Sequence, residues 1–384
     1  MTITINIDTI YCLTLNMKIA FIGQKGIPAQ TGGVERHVGF LVRELNKLGH
    51  EIIVYNRRGY TPVHLREIDG VRLIYKGYIN NKNLASITHT FLATLDVIRR
   101  RVDIIHYHGI GPSLLLWMPK IFCPKTKIIA TLHSFDYDNE KWSPFAKFML
   151  RLGEKVMLAT ADGVIVLTKE THDYILKKYG SETFIIPNGT ELGPVETDSI
   201  LKFWGLMPNK YILSVSRLIK LKGIQYLISA FKHLPTDMKL VVVGNGEYEE
   251  ELRLIADNDR RIIFVGNQSG DALRQLYSHA FLFVQSSEME GMSLSLLEAM
   301  GHGCPCLVSD INGNRTALEN TGYYFRSKDI NDLEIQLKNI IDKPDETVKK
   351  GRAAFERAAK EFDWGQVAAK TENVYNTVLN RVNK

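Results

Sequence analysis

Glu290 and Glu298 stand eight positions apart in EGMSLSLLE, the first followed by Gly291 and the second preceded by apolar residues. A carboxylate carried into an apolar helix is costly unless something compensates it. The stretch follows the apolar run FLFVQ (281–285), so Glu290 and Gly291 fall in the loop after a strand. A helix then starts near Ser293 and ends at His302-Gly303. Its first backbone N–H groups, around Met292, Ser293 and Leu294, suit a phosphate, because the helix terminus carries partial positive charge. Glu298, inside the helix, could accept hydrogen bonds from a diol such as a ribose, or could pair with a core arginine. Glu290, at the mouth, could hold sugar hydroxyls.

Two cations follow another strand-like run, YILSVS, in SRLIKLKG: Arg217 at the strand end and Lys222 before the next helix. Arginine offers a planar fork to phosphate oxygens and lysine a compact charge on a flexible stem. Solvated surface cations are the alternative for either one. Gly32-Gly33 lies directly before a helical pattern that starts at Val34. Such a loop is either a tight turn or a close backbone approach to an anion. It is not G-x-G-x-x-G, so no dinucleotide fingerprint is present. Asp136-Tyr-Asp138 is a formal Asp-x-Asp, but it lies in the half of the chain without the phosphate-binding candidates, and no metal site is expected there.

These residues need elements to position them. At 384 residues, with 45% apolar and 23% charged side chains, the chain has the length and composition of two globular domains. From Met17 the runs IAFIG, EIIVY, DIIHYH, KIIATLH, GVIVL and TFIIP alternate with helical stretches. YILSVSR, KLVVVGNG, RIIFVGN, FLFVQSS and PCLVSD repeat the scheme. Strands that are continuously apolar are buried on both faces, which predicts parallel sheets with helices on each side. The fold class is α/β, two doubly wound domains facing a cleft, with ligands beyond the carboxyl ends of the strands. The boundary is expected within 187–199, rich in Pro, Gly and small polar residues, giving domains 17–193 and 194–362. The last helix, 363–384, is expected to cross back onto the first domain. Residues 1–16 lack a basic start and a continuous apolar centre, and read as a poorly ordered extension rather than a signal peptide.

Residues 1–195 carry a net charge of +7 and residues 196–384 carry −1, together the +6 of the chain. A basic half suggests a face that meets something anionic. No dense Lys/Arg run with interleaved aromatics occurs, which speaks against nucleic acid. No apolar run approaches the roughly 20 residues that span a bilayer. Cys12 and Cys123 are isolated and Cys304-Pro-Cys306 is too tight for a metal site, so a reduced, cytoplasmic protein is expected.

Taken together, EGMSLSLLEAMGHGCPCLVSD, ILSVSRLIKLKGIQYLISAF, LVVVGNGEYEEEL, IIFVGN and GIPAQTGGVERHVGFL resemble the successive blocks of the retaining GT-B glycosyltransferases of family 4. The likeness runs from Met17 to the C-terminal helix, and its first-domain loop is similar to that of polysaccharide-assembling members. It implies a GT-B fold and transfer of a sugar from a nucleotide sugar (UDP, GDP or dTDP type) to a glycan or lipid-linked acceptor, as in exopolysaccharide, capsule or O-antigen assembly. It implies Arg217 and Lys222 on the donor diphosphate, Glu298 on the ribose, and Glu290 on the donor sugar or its phosphate neighbourhood. His133, in TLHSFDYDNEKW, is expected beside the transferred sugar. Gly32, Gly33, Gly291, Met292, Ser293 and Leu294 complete the donor-binding set, with Glu290, His133, Arg217 and Lys222 as the catalytic set. With two cations on the leaving group no metal or other cofactor is expected. Met292-Ser293 stand where the family often has Phe-Gly, which leaves the donor sugar open. A nucleotide-sugar epimerase of the same fold and an inactive nucleotide-sugar-binding protein are the rival readings.

KWSPFAKFMLRLGEKVML (141–158) is a basic amphipathic stretch. It either lies on an anionic membrane, making the protein peripheral on the inner face, or packs its apolar face on the sheet with its lysines in water. Packing is the favoured expectation.

Overall fold

The computed structural model describes residues 16–30, 32–61, 65–81, 84–135 and 143–381. The proposed extension before residue 16, Asp136, Asp138, the start of the basic stretch and the last three residues lie outside the described residues.

The first sheet has eight strands: β1 (Lys18–Ile22), β2 (Glu51–Arg57), β3 (Glu67–Ile68), β4 (Val71–Lys76), β5 (Ile104–His108), β6 (Lys127–Leu132), β7 (Gly163–Val166) and β8 (Phe184–Ile185). Their order is β3-β4-β2-β1-β5-β6-β7-β8, parallel except where β3 meets β4. The second sheet has six parallel strands: β9 (Tyr211–Val215), β10 (Lys239–Val243), β11 (Ile262–Phe264), β12 (Leu282–Gln285), β13 (Cys306–Ser309) and β14 (Tyr323–Phe325), in the order β11-β10-β9-β12-β13-β14. Both sheets are doubly wound, with β1 and β9 central.

The unbroken apolar runs mark strands covered on both faces. Helix Gly33–Lys47 and the C-terminal helix Trp364–Asn380 lie side by side on one face of the first sheet, so Val38 and Leu41 share a core with Trp364, Tyr375 and Val378. Helices Ala85–Val97, Ile110–Ser113 and Pro144–Thr160 cover the other, through Ala93, Val97, Ile110 and Met157. The second sheet is sandwiched likewise: Leu296, Leu297 and Met300 on one side, Ile224, Leu227 and Phe231 on the other. Between the halves the connector is pinned to the second one. Thr190 N–H donates to the Phe362 carbonyl (2.6 Å) and Gly193 N–H to the Gly301 carbonyl (2.9 Å). β3, β4 and β14 are strands that the continuous-run criterion does not pick out; β3 is two residues long, and β4 alternates buried and exposed residues at its start because it lies near the sheet edge.

Candidate active site

A cavity of about 930 Å³ opens between the carboxyl ends of the two sheets, and residues of both halves line it. Gly32, Gly33, Arg36 and His133 come from the first; Arg217, Lys222, Tyr277, Glu290, Gly291, Met292, Ser293, Leu294 and Glu298 from the second. Every residue picked out as a donor-site or catalytic candidate therefore borders one space.

Helix Leu294–Gly301 begins at this cavity, capped by Ser293, whose hydroxyl also donates to Gln285 Oε1 (2.6 Å). Gln285 in turn donates to Asn314 Oδ1 (2.6 Å), and Asn314 donates to the Ser309 carbonyl (2.9 Å). Ser309 closes the ladder on the Ser287 carbonyl (2.6 Å). This buried polar chain fixes the loop that carries Glu290, and sequence reasoning missed it. Its only local signal is Gln285, a polar residue ending an otherwise apolar strand. A satisfied network of this kind holds a single geometry, whereas a half-satisfied one would be costly.

Glu290 accepts from Ser287 Oγ (2.7 Å) and from Lys222 Nζ (2.5 Å). Lys222 ends a 3₁₀ turn, Lys220–Lys222, and Gly223 follows with φ +67°. A Cβ on Gly223 would meet the Ser286 carbonyl oxygen at 1.9 Å, so only glycine lets the two loops approach and bring Lys222 to Glu290. Arg217 is exposed at the mouth, and among the described residues its guanidinium has no protein partner. Gly291 marks the contact between halves: a Cβ there would lie 2.8 Å from the His133 carbonyl oxygen.

Glu298 is buried, and both carboxylate oxygens are engaged. Oε1 faces Arg36 of helix Gly33–Lys47, across the cleft, and Oε2 accepts from Tyr277 OH (3.1 Å). Burial pushes the Glu298 carboxyl above its ordinary pKa, against the opposing pull of Arg36, and Glu298 holds Arg36 the more firmly protonated. Of the two readings open for Glu298, the arginine partner is the one present, and it comes from the opposite domain rather than the local core. Arg36 was not among the sequence candidates. Gly32 and Gly33 lie at the start of the same helix, with Leu294 packed 3.8 Å from where a Cβ on Gly33 would be.

His133 belongs to a histidine cluster. His108 Nδ1 and His133 Nε2 share a hydrogen bond (3.0 Å), and His37 stands edge-on to His133 with ring centroids 4.8 Å apart. Asn188 ties the cluster to the second half: its Nδ2 donates to the Met292 carbonyl (2.8 Å), which leaves Oδ1 to accept from His37 Nδ1 (2.8 Å). His106 bonds Tyr375 OH and Thr131 Oγ1, each at 2.7 Å. Burial lowers all four histidines, His37 to about 4 and His106 to about 3, so the cluster is neutral at physiological pH. Among the described residues His37, His108 and His133 also form the group whose types and spacing could hold a metal, with ligand atoms within 4.8 Å of one another. The nitrogens of His37 Nδ1, His108 Nδ1 and His133 Nε2 are already committed to the hydrogen bonds above.

Known proteins agree with this architecture. The family described as "Glycosyl transferases group 1" matches residues 198–362, and "Glycosyltransferase Family 4" matches residues 31–193. N-acetyl-alpha-D-glucosaminyl L-malate synthase of Bacillus anthracis is 25% identical over 295 residues, 73% of this chain and 76% of that protein. UDP-Gal:alpha-D-GlcNAc-diphosphoundecaprenol alpha-1,3-galactosyltransferase of Escherichia coli is 26% identical over 264 residues, 64% of this chain and 67% of that protein. Among solved structures, sucrose-phosphate synthase from Thermosynechococcus elongatus superposes with a TM-score of 0.81 at 23% identity, covering 95% of this chain and 100% of that one. Two Rossmann-like domains closing on a shared cleft make this a GT-B protein. The two matches between them span nearly the whole described chain, and it belongs to glycosyltransferase family 4. It is a glycosyltransferase that uses nucleotide sugars.

Proposed function

We propose that the enzyme transfers a hexosyl group, with retention of configuration and without a metal, from a nucleoside-diphosphate sugar to a glycan or lipid-linked acceptor during polysaccharide assembly. The observation that carries this reading is the convergence of Lys222, Glu290 and the start of helix Leu294–Gly301 on one cavity that His133 borders from the other domain. The donor diphosphate lies between Arg217, Lys222 and the N–H groups of Met292, Ser293 and Leu294. Glu298 takes the ribose diol, Glu290 and Gly291 the donor sugar, and the acceptor enters from the Gly32-Gly33 and His133 side. The Escherichia coli relative is named for a UDP-sugar donor and a diphosphoundecaprenol acceptor, which supports an acceptor of that chemical class.

In the proposed reaction the bond from the anomeric carbon to the leaving phosphate breaks, and the acceptor oxygen bonds the same face. The acceptor's proton passes to the leaving phosphate. Negative charge grows on that phosphate, and Arg217, Lys222 and the helix N–H groups stabilise it; one such preorganised contact is worth about 3 kcal/mol. His133, neutral, orients a sugar hydroxyl. Residence in the cytoplasm, where nucleotide sugars are at hand, belongs to the same proposal; Cys123, Cys304 and Cys306 are free thiols.

Thermal shift with UDP, GDP, dTDP and ADP, with and without EDTA, tests the donor site. One diphosphate should stabilise the wild type equally with EDTA present and leave Arg217→Ala/Lys222→Ala unmoved. Stabilisation that requires a divalent ion refutes the metal-free reading. Turnover of the nucleotide sugar to an epimer without acceptor refutes transfer.

A further inference from the structure

Arg57, at the end of β2, is a half-buried cation without a counter-ion. Its Nε is shielded from solvent and has no hydrogen-bond partner, and no carboxylate among the described residues lies within ion-pair distance of it. Such a group is costly to bury unless something outside the chain completes it. Burial lowers the Arg57 pKa, a pull that the charge of Glu35 and the hydroxyls of Tyr78 and Tyr60 oppose only in part. Glu35 is engaged elsewhere, since its Oε1 accepts from the Lys25 N–H (3.0 Å). Fully buried His89 adds no charge, because burial lowers its pKa to about 4. Beyond the neighbouring strand β1, buried Gln24 donates to the Phe21 and Tyr55 carbonyls (3.2 Å each) and leaves its Oε1 without a partner.

Two further cations adjoin it. Arg57 N–H donates to the Lys25 carbonyl (2.7 Å), and Arg58 follows in the chain. Neither Lys25 nor Arg58 has an ion pair among the described residues. Backbone contacts lace this group to one wall of the interdomain cavity. Asn56 exchanges hydrogen bonds with Ile27 (3.0 and 2.7 Å), Tyr60 OH accepts from the Gln30 N–H (2.9 Å), and both Ile27 and Gln30 line the cavity. That wall belongs to the first domain, whereas Arg217 and Lys222 line the cavity from the second. The proposed donor chemistry therefore leaves Lys25, Arg57 and Arg58 unused, although they contribute to the +7 of residues 1–195. A guanidinium fork with further cations beside it suits phosphate or diphosphate oxygens.

We propose that Arg57, with Lys25 and Arg58, seats a phosphate or diphosphate group of the acceptor, beside the cavity in which the acceptor's hydroxyl reacts. The inference rests on the proposed transfer to a glycan or lipid-linked acceptor and narrows it to an acceptor that carries phosphate. The bound anion supplies the partner that Arg57 Nε lacks within the chain. An uncharged glycan would leave the guanidinium uncompensated.

Titration of the full chain with inorganic diphosphate tests it, after the donor site is saturated with whichever of UDP, GDP, dTDP and ADP stabilises the protein. A further binding event should appear. Arg57→Met and Lys25→Gln/Arg58→Gln should each weaken it at least tenfold while the nucleotide binds as in the wild type. Free Arg57→Met should melt no lower than the wild type, because the cation it removes is uncompensated. Geranyl diphosphate should bind at least as tightly as the inorganic ion, as an esterified acceptor would. If it cannot displace inorganic diphosphate, the site serves a free anion and the acceptor assignment falls. No further binding event, binding that neither variant reduces, or equal affinity for sulfate each overturns the proposal. So does a lowered melting temperature of Arg57→Met with diphosphate binding intact, which would make Arg57 structural. Failure of every nucleotide to bind is a separate result: it refutes the donor site, and titration of the unsaturated wild type against Arg57→Met still reads this one.

Discussion

Replacing Arg36 by methionine removes the cation across the cleft from Glu298 while keeping most of the side chain's apolar stem. In the present arrangement Arg36 takes Oε1 and Tyr277 takes Oε2, so a ribose diol on Glu298 has to exchange with one of them. Without Arg36 an oxygen is free, but burial then acts on the carboxyl with its principal counter-charge gone, and its pKa rises further. Hydrogen bonds to a charged acceptor are worth about 1.5–3 kcal/mol, and much of that is lost once the acid is protonated. Diphosphate affinity of Arg36→Met should therefore fall by roughly 10- to 150-fold as pH drops below the new pKa, and recover as pH rises through it. Stability runs the opposite way. A carboxyl whose folded pKa is raised contributes stability below its unfolded pKa and loses it as pH rises through the folded one, so Arg36→Met should melt at progressively lower temperature from about pH 4.5 upward. Isothermal titration with the preferred diphosphate, beside melting curves across the same pH series, reads both. Glu298→Gln in the Arg36→Met background should flatten both profiles. If Arg36→Met binds with the wild-type pH dependence, Glu298 does not meet the nucleotide as argued.

Three further outcomes follow from the geometry. Asn188→Leu leaves the Met292 carbonyl and His37 Nδ1 without their shared partner and should cost about 1–3 kcal/mol, read as a lowered urea midpoint at unchanged slope. Gly291→Ala forces a Cβ to 2.8 Å from the His133 carbonyl oxygen, so transfer should fall at least tenfold in an acceptor assay while the melting temperature changes little. Burial pushes Asp96 up, but hydrogen bonds from Arg100, Lys76 and Tyr55 override it and hold the carboxyl well below its ordinary range. Its contribution is present above the unfolded pKa and fades as pH falls through the folded one, so Asp96→Asn should lower the melting temperature at pH 7 and narrow its gap to wild type on acidification.

The parallel sheets were legible because double burial writes itself into consecutive residues: IAFI, YILSV and KLVVV need no partner to be recognised. Lys222 and Glu290 were legible for a related reason, since each follows such a run and must lie at a strand's carboxyl end. What failed to show were relations between distant residues. Arg36 and Glu298 meet only because two separately folded domains face each other. Asn188, read simply as part of a linker, spans from His37 to Met292. Phe145 and Phe148 on helix Pro144–Thr160 were hidden for a different reason: 73% and 60% exposed, they reverse the expectation that this helix packs its apolar face on the sheet. Periodicity tells which residues share a helix face, but Gly153 decides which face is pressed against Ile110, and a missing side chain carries no hydrophobic signal.

The histidine cluster constrains where charge can come from in the proposed reaction. His133 faces the donor cavity but shares burial with His37, His106 and His108, and each proton added to one ring would be opposed by desolvation and by its neighbours. A neutral imidazole can orient a hydroxyl or relay a hydrogen bond; it cannot neutralise a departing diphosphate. That work falls to Arg217 and Lys222 on the opposite domain, and the two differ in readiness. Lys222 is already held against Glu290, while Arg217 is exposed and has no protein partner among the described residues. Removing Lys222 therefore disturbs both the loop geometry and the charge, whereas removing Arg217 takes away charge alone. Lys222→Ala should accordingly lose both diphosphate binding and thermal stability. Arg217→Ala should lose binding at an unchanged melting temperature of the free enzyme, and a matching loss of stability in both would mean that Arg217 is structural.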